Sequence, residues 1–207
     1  MRHRRLAAHV IMLSLLAGGR ARSQTPQETA ASKETIVFFR HGEKPPKGLG
    51  QLSCRGLNRA LALPQALLPK FGTPDFLFAP NPGRVKIDKG TPYNYIRPLA
   101  TIEPTAIKLG KPVNTRFGFD QIDEFQRELL SSKYKTSLLY VSWEHVKIVE
   151  IVKKILSATG TKADVPAWDA KDFDGVFVVG IERRGGATSA TFSRDSEGLD
   201  RISDDCP

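Results

Sequence analysis

Two imidazoles, two guanidiniums and nearby carboxylates are the side chains in this sequence whose types could do chemistry together. His41 stands in Arg40-His41-Gly42-Glu43, His145 in Ser142-Trp143-Glu144-His145, and Arg97 opens Arg97-Pro98-Leu99-Ala100-Thr101. The chain has 4 histidines; His3 and His9 fall in a basic and apolar leader, which leaves His41 and His145. Phosphoryl transfer uses these residue types. A neutral imidazole can attack phosphorus in line and carry the phosphoryl group covalently. Arginines grip phosphoryl oxygens and stabilise the charge of the transition state. A second imidazole can donate to the same oxygens, and a carboxylic acid can protonate the leaving alkoxide and then activate water. A zinc hydrolase or deaminase, suggested by His41-x-Glu43, lacks a third His and a Cys pair at ligand spacing. No metal or cofactor is expected.

These residues must be positioned by secondary structure. Thr35 to Phe39 is apolar on both faces, as in a buried parallel strand. Arg40 and His41 lie at its carboxyl exit, where open α/β sheets carry their chemistry. Gly42 would let the backbone turn sharply there. Ser137 to Ser142 reads as another such strand, followed by a helix with His145, Ile148, Val149, Val152 and Leu156 on one inward face. Pro98 suits the first position of a helix, which puts Arg97 at a helix mouth where free N–H groups favour an anion. Ser53 can cap an earlier helix that Pro64 should kink or shorten. Asp75 to Ala79 is a further buried strand, Val113 to Arg116 a short one, and a helix runs through Glu124 to Leu130. Pro80 to Tyr95, with Arg84, Lys86 and Lys89, reads as a long loop. Asp174 to Ile181 and Thr188 to Ser193 form a hairpin around Arg183-Arg184-Gly185-Gly186.

The 207 residues suffice for one domain with a sizeable core. The net charge of +9 invites a nucleic-acid reading, but residues 1–23 hold five arginines and no acid, which leaves 26 basic against 22 acidic residues, or +4. That balance carries no argument for nucleic acid. Met1 to Arg5 is basic, Leu6 to Ala17 apolar, and Ala21-Arg22-Ser23 offers small residues for cleavage, so residues 1–23 read as a signal peptide. The expected organisation is a polar leader over 24–34, a domain over 35–194 and a polar tail over 195–207, ordered only if Cys206 pins it. Localisation is then periplasmic or secreted, with no membrane span after cleavage. Cys54 and Cys206 either bridge in that compartment or remain thiols.

Taken in order, the segments resemble the histidine phosphatase superfamily, also called phosphoglycerate mutase-like. Arg40-His41-Gly42 matches its Arg-His-Gly triplet. Leu52-Ser53-Cys54-Arg55-Gly56-Leu57-Asn58-Arg59-Ala60 resembles the L-T-x-x-G-x-x-Q-A stretch that follows. Ala79-Pro80 with Arg97-x-x-Ala100-Thr101 resembles S-P-x-x-R-x-x-x-T-A, and Ser142-Trp143-Glu144-His145 stands where the second catalytic His belongs. The resemblance spans about residues 34–182. It implies a three-layer αβα sandwich with a mostly parallel central sheet. It also implies phosphomonoester hydrolysis through a phosphohistidine on His41, with Arg40, Arg97 and His145 binding the phosphoryl group. Val146 follows His145 where the family has Gly or Asp, so the proton donor is not fixed by motif; the candidates, in order, are Glu144, Asp123 and Asp120. Lys44 stands where one branch has an Arg, and Glu43 with Lys44 completes the expected substrate-binding set.

The expected partner is a phosphorylated small molecule or peptide. An exported mutase of glycolytic intermediates makes little sense. The competing reading is a binding protein that keeps the same pocket without turnover.

Overall fold

The computed structural model describes residues 31–207; the expected signal segment and residues 24–30 of the leader lie outside the described residues. The first strand, β1 (Ser32–Arg40), begins three residues before the apolar run. It is followed by α1 (Cys54–Phe71), β2 (Phe76–Phe78), β3 (Val85–Asp88), β4 (Thr91–Asn94), α2 (Arg97–Leu109), β5 (Val113–Asn114), α3 (Ile122–Leu129), β6 (Leu138–Trp143), α4 (His145–Ala158), β7 (Gly175–Arg184) and β8 (Ala187–Ser196).

Six strands form one sheet in the order β5-β2-β6-β1-β7-β8. β5, β2, β6 and β1 are parallel, whereas β7 runs antiparallel to both β1 and β8. The period-2 alternation of β1 supplies both faces. Val37 and Phe39 pack with Leu63 and Leu67 of α1 and Ile102 and Ala106 of α2. Ile36 and Phe38 pack with Phe125 of α3 and Ile148, Ile151, Val152 and Ile155 of α4. The result is the expected αβα sandwich.

Two local expectations are corrected, and the condition set for the tail is met. α1 is not shortened by Pro64 and continues through it and Pro69 to Phe71. An interior proline costs about 3 kcal/mol, and burial of Leu63 and Leu67, at roughly 1.5–3 kcal/mol each, offsets that. Residues 80–95 are no simple loop, because β3 and β4 pair as a separate two-stranded hairpin. Its two-residue turn, Lys89-Gly90, has both φ angles positive, at 52° and 84°, as a tight hairpin requires. The polar stretch from Asp195 is ordered: β8 continues to Ser196, and the tail beyond it lies along α1. Cys54 and Cys206 are disulfide-bonded, with Cα atoms 4.5 Å apart, and Asn58 Nδ2 donates to the carbonyls of Ser203 and Asp205.

The bridge closes a span of 152 residues and so restricts the unfolded chain strongly. Cys206→Ser is expected to cost roughly 2–4 kcal/mol, read as a lower urea midpoint in non-reducing buffer. An unchanged midpoint would show that the bridge is not formed in solution.

Candidate active site

The site begins where the β1–β6 ladder ends. Arg40 pairs with Trp143 in register, and the His41 N–H donates to the Trp143 carbonyl at 3.0 Å. His41 therefore leaves the sheet beside Glu144, one residue before His145 starts α4. Both histidines stand at the carboxyl edge of adjacent parallel strands, as the sequence suggested. Gly42 is needed for its missing side chain, and its φ is not in the left-handed region. A Cβ there would lie 2.8 Å from the Gly56 carbonyl oxygen, and one on Gly56 would strike the Glu43 backbone. The two glycines let the first turn of α1 press against the loop that carries His41. Thr101 adds a tie from the other side: its hydroxyl accepts from Gly42 N–H at 2.9 Å and donates to the Arg97 carbonyl.

His41 is 3% exposed. Its Nδ1 lies 2.8 Å from the Gly42 carbonyl. A carbonyl only accepts, so Nδ1 carries the proton and the Nε2 lone pair is left for attack. Burial, reinforced by the positive charge of Arg97 and then of Arg40, holds the imidazole well below the usual histidine range. His145 is pushed down to about 4, chiefly by burial and next by Arg40. Both rings are thus neutral bases at physiological pH.

Arg40 and Arg97 are almost fully buried. Arg40 donates from Nη1 to the carbonyls of Ala170 and Asp172, at 3.0 and 2.8 Å. Its guanidinium lies 3.7 Å from the Phe173 ring centroid, a cation–π contact. Arg97, at the mouth of α2, pairs with Asp88 Oδ2 at 2.5 Å. Burial opposes the Asp88 carboxylate, but Arg97 and Lys44 together hold it below the usual range. The Nε atoms of Arg40 and Arg97, the Tyr95 hydroxyl and His145 Nδ1 are all buried without a hydrogen-bond partner among the described residues.

The three carboxylates considered for proton donation separate clearly. Glu144 occupies the extended position before α4, so its side chain escapes the helix, and it pairs with Lys86 of the β3–β4 hairpin at 2.5 Å. Asp123 pairs with Lys154 on an exposed helix face, and Asp120 pairs with Arg84 at the surface. Glu43 and Lys44 each have a partner already. Glu43 accepts from Nε and Nη2 of Arg59 and from Arg55, and Lys44 donates to Asp88. A concavity of about 640 Å³ lies at the far end of α4 around Lys153 to Asp164, away from this chemistry.

Several residues escaped the sequence reading. Arg59, 1% exposed, binds Glu43 together with Glu197 at 2.6 Å and Asp174 at 3.4 Å. Lys86, Asp88 and Tyr95 come from the segment read as loop, and Phe173 from the run before β7. Lys86 and Asp88 had one available signal: in a hairpin, alternate residues share a face, so the two charges point together while Val85 and Ile87 point outward and are exposed.

No family model and no curated protein matches the sequence. Solved structures do match the fold. SixA of Nakamurella multipartitia, assigned as a phosphohistidine phosphatase, superposes with a TM-score of 0.50 at 15% identity, over 79% of this chain and 95% of that one. A mycobacterial glucosyl-3-phosphoglycerate phosphatase, solved with inorganic phosphate, gives a TM-score of 0.52 at 13% identity, over 77% of this chain and 95% of that one. The chain has the fold of the histidine phosphatase superfamily, a phosphoglycerate mutase-like αβα sandwich.

The lowered imidazoles make a direct test. In the free protein, the His145 ring proton observed by NMR should titrate near pH 4. Because the unfolded chain takes up this proton near pH 6.5, the stabilisation from neutral His145 is complete above pH 6.5 and is lost as pH falls towards 4. A midpoint at 6.5 would mean that the ring is solvated and outside the enclosed site.

Proposed function

We propose that the protein hydrolyses phosphomonoesters through a phosphohistidine on His41. One observation carries the reading: a neutral imidazole with its Nε2 lone pair free stands among buried cationic and polar donors, Arg40 Nε and Arg97 Nε among them, that lack a hydrogen-bond partner among the described residues. A phosphoryl dianion is the ligand such donors favour. Both structural relatives above are described as phosphatases, one with inorganic phosphate bound, which supports the same class.

In this mechanism His41 Nε2 attacks phosphorus opposite the ester oxygen. The phosphorus–oxygen bond breaks, and the departing alkoxide takes a proton from a carboxylic acid. Water then attacks the phosphohistidine and gives a proton to that carboxylate. Inorganic phosphate leaves and His41 is regenerated. Arg40, Arg97 and His145 hold the phosphoryl oxygens. Glu144 is the acid by its position beside His145, and Lys86 must leave it before a proton can be carried there. Glu43 and Lys44 support the site through Arg59 and Asp88. The leader over residues 1–23 and the Cys54–Cys206 bridge favour an exported protein, periplasmic or secreted. Its substrate is a phosphorylated small molecule or peptide.

A binding protein without turnover is favoured by one fact: Glu144 is tied to Lys86, and so is not free as an acid. Mature protein assayed against sugar phosphates, phosphopeptides, inositol phosphates and p-nitrophenyl phosphate separates the readings. Hydrolysis that is lost in His41→Ala, unaffected by EDTA and inhibited by vanadate supports the phosphatase. Phosphate binding with no turnover supports the binding protein. Full activity in His41→Ala would remove the mechanism.

For the acid, Glu144→Gln is expected to slow alkyl phosphates by roughly 10²- to 10⁴-fold. It should slow p-nitrophenyl phosphate far less, because that leaving group departs without a proton. Equal slowing of both would exclude Glu144, and the same comparison would then be made with Asp123 and Asp120.

A further inference from the structure

Tyr95 is the last residue before the short connection into α2, and nothing in the motifs points to it. It is 1% exposed. Its ring meets the His41 ring edge-on with centroids 6.0 Å apart and packs on Phe119 at 5.4 Å. The Arg97 guanidinium lies 5.1 Å and Lys86 Nζ 4.9 Å from its centroid. Packing of this kind explains an aromatic ring at position 95. It does not explain a hydroxyl, since phenylalanine would fill the same space. The hydroxyl makes no hydrogen bond of good geometry among the described residues; the Arg97 guanidinium beside it can only donate, which leaves the phenol proton without an acceptor. A buried hydroxyl left unpaired costs stability, so a phenol kept here calls for a ligand.

The surroundings of the hydroxyl say what that ligand would be. The charges that bear on it are those of Glu144, Arg97 and Arg40, and the two arginines bear on His41 as well. Burial keeps the phenol protonated far above its ordinary range, so it is a donor. A protonated phenol among guanidiniums suits an oxyanion.

The geometry points to Tyr95 as a further phosphoryl-binding residue, its hydroxyl donating to an oxygen of the group attacked by His41. This rests on the phosphate-site reading given above and adds to it a ligand from the segment that joins the β3–β4 hairpin to α2. The bond would be strongest when charge builds on the equatorial oxygens, so it should favour the five-coordinate transition state over the ground state.

Tyr95→Phe removes only the hydroxyl. Three quantities are measured on wild type and variant: the urea midpoint, the dissociation constants of inorganic phosphate and orthovanadate by calorimetry, and kcat/KM for p-nitrophenyl phosphate. The expected result is an unchanged or raised urea midpoint, with vanadate bound about 10- to 100-fold more weakly and phosphate less affected. A purely structural hydroxyl would give the opposite pattern, with a lowered midpoint and unaltered binding, and that result overturns the inference. Equal affinities in wild type and Tyr95→Phe also overturn it, while leaving the phosphate site itself intact. Wild-type protein that binds neither anion would overturn the phosphate-site reading and this inference together. Weaker anion binding by Tyr95→Phe supports the inference even where wild type shows no turnover.

Discussion

Parallel hydrogen bonding between β1 and β6 holds Arg40 opposite Trp143, and one further bond, from His41 N–H to the Trp143 carbonyl, carries that register past the end of the sheet. Everything at the site is referred to this ladder. Strand side chains alternate, so a slip of one residue would exchange Val37 and Phe39, packed under α1 and α2, with Ile36 and Phe38, packed under α3 and α4. Both cores resist that exchange. The register that satisfies them is also the one that brings His41 abreast of Glu144.

Around that fixed edge the protein buries charge. Arg40, Arg97 and Lys86 are set against aromatic rings and carbonyl oxygens, and among the described residues the carboxylates paired with them are Asp88 and Glu144. Removing cations from water is expensive unless they are paired, and the partial pairing here leaves a field that favours an incoming anion. Burial, reinforced by the same cations, keeps both imidazoles neutral, which is the state the proposed nucleophile needs. In the proposed reaction one electrostatic arrangement serves both anion binding and preparation of His41.

Arg59 performs the structural counterpart. Its guanidinium joins the loop after His41 through Glu43, the segment before β7 through Asp174, and the C-terminal tail through Glu197. Asp174 lies next to Phe173 and close to Asp172, which hold Arg40. Burial works against the charge of Arg59, but Glu43 and Glu197 outweigh it and keep it firmly protonated. The disulfide at Cys54 fastens the tail to the same end of α1. The loop that follows His41 and the segment that holds Arg40, distant in sequence, are thereby fixed to one buried cation.

Local order was legible in the sequence because it depends on near neighbours. The apolar run of β1, the Ser53 cap, Pro98 at the start of α2, and the inward face of α4 are written in adjacent residues, and His41, Arg40, Arg97 and His145 could be located from them. What depended on contacts across the chain was not legible. The tail from Asp195 is as polar as it reads, yet it is ordered by a bridge to a residue 152 positions away. Glu43 and Lys44 look like free ligands until Arg59 and Asp88 are found against them. Residues 80–95 lack an apolar pattern because their hairpin turns charges inward, so periodicity, which reports burial of apolar groups, missed Lys86, Asp88 and Tyr95. Sequence alone determined which residues could do chemistry and on which strand exits they stand. Only the tertiary structure decided which charges meet, because pairing and desolvation arise between segments that the chain order keeps apart.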